Sequence, residues 1–134
     1  MNTNMNYTIE YILRKAGIYP EYSGYTLIVS AVQMIHNEPD VCDAFSTYVY
    51  RKLGKKFNKS ITAVEASIRH AIERAYKNER EKLKFFMERS LTRRPSNKEL
   101  ICYVNYCLDS AYMQQKLGIY ESETKDSANL FTPV

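Results

Sequence analysis

Apolar residues recur along this chain at intervals of three and four, the spacing of one helical face. No convincing period-two alternation, the mark of a half-buried strand, accompanies them. Thr8 is the predicted cap of a first short helix, with Ile9, Ile12 and Leu13 on one side and Gly17 as its stop. The stretch IYPEYSGY is a loop punctuated by Pro20 and Gly24. In TLIVSAVQMIHN, Leu27, Ile28, Ala31, Val32 and Ile35 form a core-facing stripe, and Pro39 ends that segment or opens the next. Phe45, Val49, Leu53 and Phe57 then keep a four-residue stride. They predict a helix from about Asp43 to Phe57 despite Gly54, with Asn58 as a left-handed stop.

A second helix follows within a few residues. Ser60 or Thr62 is its predicted N-cap, Thr62 and Glu65 have capping-box spacing, and Val64, Ile68, Ala71, Ile72 and Ala75 make one apolar stripe. Two helices joined so tightly read as a helix-turn-helix whose second member, here about residues 62–77, lies in the DNA major groove. Any antiparallel helix hairpin gives the same pattern. Its outer face carries Glu65, Arg69, His70 and Arg74. KNEREKLKFFMERSL continues helically, in the same helix or as a separate one, with Leu83, Phe86 and Met87 facing inward, and Pro95 breaks the run. Ser96 and Glu99 form a second capping box, which opens a helix with Leu100, Val104, Cys107, Leu108 and Ala111 on its inner side. The pattern predicts an all-α domain over residues 1–117 and a polar tail over 118–134.

At 134 residues this is one domain by size. No apolar run approaches the roughly 18 residues of a membrane span, and the N-terminus lacks the pattern of a secretory signal, so a cytoplasmic location is expected. Cys42, Cys102 and Cys107 cannot all pair within one chain, and reduced thiols are expected. The net charge of +4 hides an uneven distribution: residues 51–98 hold fifteen Lys and Arg against five Glu, while the segments on either side are both acidic. A basic centre between acidic ends fits a nucleic-acid surface, although the interleaved Glu also fit a solvated mixed-charge helix face.

Enzyme chemistry has no foothold in this sequence. It has no Gly-rich phosphate loop, no metal-ligand spacing, and no Ser/His/Asp or Cys/His set placed by a motif, so neither catalysis nor a cofactor or metal is expected. His36, at the edge of an apolar helix, reads as a half-buried structural residue. The twelve Tyr and five Phe read as core, not as a platform for single-stranded bases.

Four stretches carry a sharper signal: GYTLIVSAV at 24–32, KKFN at 55–58, VEASIRHAIERAY at 64–76 and RPSNKELI at 94–101. Together they resemble the C-terminal DNA-binding effector domain of the sporulation stage-zero master response regulator of endospore-forming bacteria. The resemblance covers roughly residues 9–112. It implies a bundle of about six helices, sequence-specific binding of duplex DNA, and transcriptional control of entry into sporulation. It also places Glu65, Arg69 and His70 on the DNA-facing side, and Lys59, Ser60 and Thr62 near the phosphate backbone. In two places this chain departs from the resembled pattern. Ala63 and Ala66 stand where the family has base-reading arginines, and the family's regulator carries a receiver domain for which no counterpart is expected here.

An arginine gripping guanine through two hydrogen bonds discriminates by about 1–3 kcal/mol. Losing two removes on the order of 2–6 kcal/mol, a large share of a typical specific-over-nonspecific gap. Alanine still touches a thymine methyl, which leaves an altered, more A·T-tolerant code open. Two functions therefore follow. One is a regulator that binds duplex DNA through helix 62–77, alone or as a homodimer. The other is a protein-interaction module that keeps the fold, has lost specific DNA binding, and acts in a mixed complex with a related regulator.

Overall fold

The computed structural model describes residues 3–119, and every regular element among them is helical. The α-helices are α1 (Thr3–Lys15), α2 (Tyr25–Asn37), α3 (Tyr50–Phe57), α4 (Ile61–Asn78), α5 (Arg80–Met87), α6 (Asn97–Asp109) and α7 (Ala111–Leu117). A 3₁₀ segment, Pro39–Ala44, and a π-helical turn, Phe45–Val49, lead into α3. The predicted tail lies outside the described residues, apart from Gly118 and Ile119.

The buried stripes are those the spacing predicts. Leu27, Ile28, Ala31, Val32 and Ile35 of α2, and Val64, Ile68, Ala71, Ile72 and Ala75 of α4, are all sealed from solvent. At about 1.5–3 kcal/mol for each large aliphatic side chain removed from water, these stripes dominate what holds the helices together. Helix α2 is central: it packs most extensively on α6 and also meets α1 and α4. Its start approaches α4 with nothing between. A Cβ on Gly24 would fall 2.2 Å from the Ser67 carbonyl oxygen, so only glycine fits there.

Gly54, which reads in sequence as a liability within a helix, has a positive role. The turn after α3 folds back over it: the Lys59 amide donates to the Gly54 carbonyl at 2.8 Å, and a Cβ on Gly54 would stand 2.6 Å from the Lys59 carbonyl oxygen. Asn58 supplies the left-handed residue at φ 56° and ψ 53°, as predicted, and its amide also bonds to Gly54. Ser60 takes the N-cap of α4, accepting from the Ala63 amide at 3.0 Å.

Three predictions about helix starts, caps and breaks need correction. Helix α1 starts ahead of Thr8, because Met5 already packs on the core and extends the apolar face by one turn. Thr62 and Glu65 do not form a capping box; Ser60 occupies the cap, and the Glu65 carboxylate turns to Arg69 instead. The helix predicted after Ser96 is divided at Ser110, whose extended backbone and side-chain bond to the Met113 amide start a new helix. That break leaves Ala111 exposed, with Met113 and Leu117 buried in its place. The Ser96–Glu99 capping box is formed in both directions.

Aromatic residues are not all core: Tyr7, Phe85, Tyr106 and Tyr112 are exposed. His36 is half-buried with Nδ1 3.2 Å from the Asn105 side-chain oxygen, consistent with a structural role. All three cysteines are free. The Cys42 and Cys102 sulfurs lie 3.3 Å apart, and burial pushes the Cys102 thiol up to about 12, which keeps it protonated.

Candidate nucleic-acid interface

With 3.6 residues per turn, the outer half of α4 is organised into rows of residues four apart. Thr62, Ala66, His70 and Arg74 form one row, and Glu65, Arg69 and Glu73 form the row beside it. The helix is 18 residues long, is capped by Ser60, and meets the rest of the domain through its opposite, apolar face. An outward cylinder of this length suits a major groove about 12 Å wide.

The second row is saturated with charge pairing. Arg69 donates through Nε to Glu65 Oε2 at 3.1 Å and through Nη2 to Oε1 at 3.4 Å, and its Nη1 lies 3.9 Å from Glu73 Oε2. The same Glu73 oxygen is 3.3 Å from Nε of Arg94, which arrives from the α5–α6 connection. The Glu65 hydrogen bonds, followed by its charge, raise the Arg69 pKa further and keep the guanidinium ionised at any relevant pH.

The first row is bare by comparison. Thr62 and His70 are exposed, Ala66 is partly exposed, and His70 makes no hydrogen bond or ion pair among the described residues. Ala63, one turn ahead, is also partly exposed and contributes its amide to the Ser60 cap. Arg74 is held against the Tyr22 ring with its guanidinium carbon 4.1 Å from the centroid, a cation–π contact that orients it along the helix flank. Burial pushes the Tyr22 phenol above its ordinary range, and the Arg74 charge acts against that rise.

Of the predicted residues, Ser60, Thr62, Ala63, Glu65, Ala66, Arg69, His70 and Arg74 therefore lie along or at the head of one helix, and Lys59 projects from the turn that starts it. Lys59 and Lys77, near the two ends of α4, make no ion pair among the described residues. Both are suited to non-specific phosphate contact.

Sequence reasoning missed Glu73, Arg94 and Asn97. Glu73 was readable as the third member of an i,i+4 series with Glu65 and Arg69. Asn97 Nδ2 donates to the Tyr50 hydroxyl at 2.9 Å and to the Glu65 carbonyl at 3.2 Å, which fixes the start of α6 against α3 and α4. No local pattern announces that contact, since its partners are 47 and 32 residues away.

Among the described residues, no group of His, Cys, Asp or Glu could hold a metal ion, and no helix is long and apolar enough to cross a membrane. A family model described as "Sporulation initiation factor Spo0A C terminal" matches residues 9–108.

Proposed function

This chain belongs to the family of Spo0A C-terminal domains of sporulation initiation factors, and from that premise we propose that α4 is its recognition helix. Membership makes it a non-enzymatic, DNA-binding domain of transcription regulation. In the proposed reading, α4 enters the major groove of duplex DNA in the cytoplasm, in a regulatory role related to sporulation. Arg69 and His70 face the bases, with Glu65 beside them. Lys59, Ser60 and Thr62 meet the backbone, Arg74 flanks the groove, and Ala63 and Ala66 alter the code.

The observation that carries this reading is the outward face of α4, presented by a turn that Gly54 and Asn58 hold closed. Binding should be strongly salt-dependent, because each neutralised phosphate contributes about −0.9 to the slope of log K against log salt. With about four to six contacts, affinity falls at least tenfold between low and physiological salt. A titration by fluorescence anisotropy checks this, and absence of binding to any duplex at low salt would refute the reading.

A second reading is favoured by one specific observation. Ala63 and Ala66 give the outer face no reach, and Arg69 is occupied by two carboxylates. A module that pairs with a full-length relative instead of reading DNA would have the same features. Co-purification of a mixed complex, without duplex binding at low salt, would select it.

A further inference from the structure

The α5–α6 connection, residues 88–96, carries Arg89, Arg93 and Arg94, and the first turn of α6 adds Lys98. Nothing about a connecting loop requires it to be basic, and its position relative to α4 is closely determined. Arg94 reaches Glu73 on the outer half of α4 at 3.3 Å. One residue past the loop, Asn97 is buried and bonded to the Glu65 carbonyl of the same helix. Both ends of the Glu65–Arg69–Glu73 row are therefore tied to this segment.

Glu99 organises the remaining cations. Its carboxylate accepts from the Ser96 amide at 2.8 Å and lies 3.4 Å from Arg93 Nη1 and 3.9 Å from Arg89 Nη2. The Ser96 amide, ahead of the arginines, holds that carboxyl below its ordinary pKa range, so it stays ionised and keeps the loop arginines together. One carboxylate does not neutralise this group: Arg93 remains 66% exposed at its side chain, and Lys98 has no ion-pair partner among the described residues.

We propose that this loop is a second DNA-contacting element beside the recognition helix, in which Arg93 and Arg94 bind backbone phosphates and Glu73 is the positioning residue that sets Arg94 in register with α4. The inference rests on the reading of α4 as the recognition helix. A helix seated in the major groove has a phosphate ridge along each side, and cations fixed at a constant offset from it meet that ridge. Such contacts orient the domain without reading sequence. In this chain they compensate for anchorage that Ala63 and Ala66 do not provide.

The test compares salt slopes on one duplex for the whole chain, Arg94→Gln, the double change Arg93→Gln with Arg94→Gln, Arg94→Lys, and Lys84→Gln as a remote control. Lys84 pairs locally with Glu81 on α5. Each lost contact flattens the slope by about 0.9, so the double variant loses about 1.8. Lys84→Gln leaves the slope unchanged, and Arg94→Lys restores it, because a phosphate contact needs the charge more than the guanidinium fork. Thermal unfolding of each variant separates a folding defect from a binding one, and the exposed Arg93→Gln alone serves if the double variant unfolds. An unchanged slope in a folded Arg93→Gln or double variant, with the parent chain still binding, overturns the loop's role alone. If the parent chain binds no duplex at low salt, the recognition-helix reading falls as well, and this inference with it.

Discussion

Two neighbouring rows on one helix differ in how much of their chemistry is already used. In the Glu65–Arg69–Glu73 row every charge has a partner, and a fourth charge, Arg94, is recruited from another element. In the Thr62–Ala66–His70–Arg74 row, the middle positions present a methyl group and an imidazole with no partner among the described residues, and the last is engaged with Tyr22. The two rows share a backbone, a cap and a buried face. Basic residues counted along a sequence therefore do not measure the cations a surface can offer. To meet any new partner Arg69 must exchange carboxylates, whereas His70 has none to give up among the described residues.

The largest expected effect removes the comparison altogether. Gly54→Val forces the turn off α3, because the added Cβ alone would stand 2.6 Å from the Lys59 carbonyl oxygen. A loss of about 3 kcal/mol, the upper end for overpacked sites, is expected in chemical denaturation, and both rows lose their alignment together. Retention of full stability would mean that the turn is not closed as described.

Next, the bare row can be given reach. The double change Ala63→Arg and Ala66→Arg should raise the preference for a duplex carrying the resembled family's guanine-containing site over a scrambled one by at least about tenfold, or roughly 1.4 kcal/mol. Both positions lie outside the apolar stripe, and arginine is a good helix former. The decisive quantity is the ratio, since added charge alone tightens both duplexes equally. Equal tightening would show that α4 does not dock in the family's register.

A smaller effect tests the saturated row. Arg69→Ala should weaken binding to a selected site severalfold more than Arg74→Ala or Lys82→Ala does, since Lys82 is drawn to the Tyr19 hydroxyl at 2.8 Å, away from the row. Competition binding with the three purified variants checks the order. Equal, slight losses would describe a diffuse basic surface with no recognition helix.

The stripes, the Asn58 stop and the Ser96–Glu99 box were legible because each is written within a few adjacent residues. Periodicity reports burial, and burial follows from the 3.6-residue turn wherever a helix is long enough. The role of Gly54 was not legible, since the atom that excludes a side chain there belongs to Lys59 and arrives only when the turn folds. The break at Ser110 was missed for a related reason: apolar spacing continues across it, and only the extended backbone of Ser110 divides the run. The placement of Phe85, Tyr106 and Tyr112 was misread because aromatic content is a bulk property, whereas exposure is decided position by position. For the candidate interface, the resemblance brought the α4 positions together. The proposed contribution of the α5–α6 connection rests on Glu73 and Asn97 reaching partners distant in sequence.

Gly24 has a mechanical consequence. Most helix pairs are separated by a layer of side chains whose rotamers yield under load, so one helix can turn a little without dragging its neighbour. At Gly24 that cushion is missing, and the start of α2 rests directly on the α4 main chain at Ser67. The contact behaves as a hard stop. A torque applied to α4 from its outer side has no rotamer there to absorb it, so it passes to α2 and from there to the centre of the bundle.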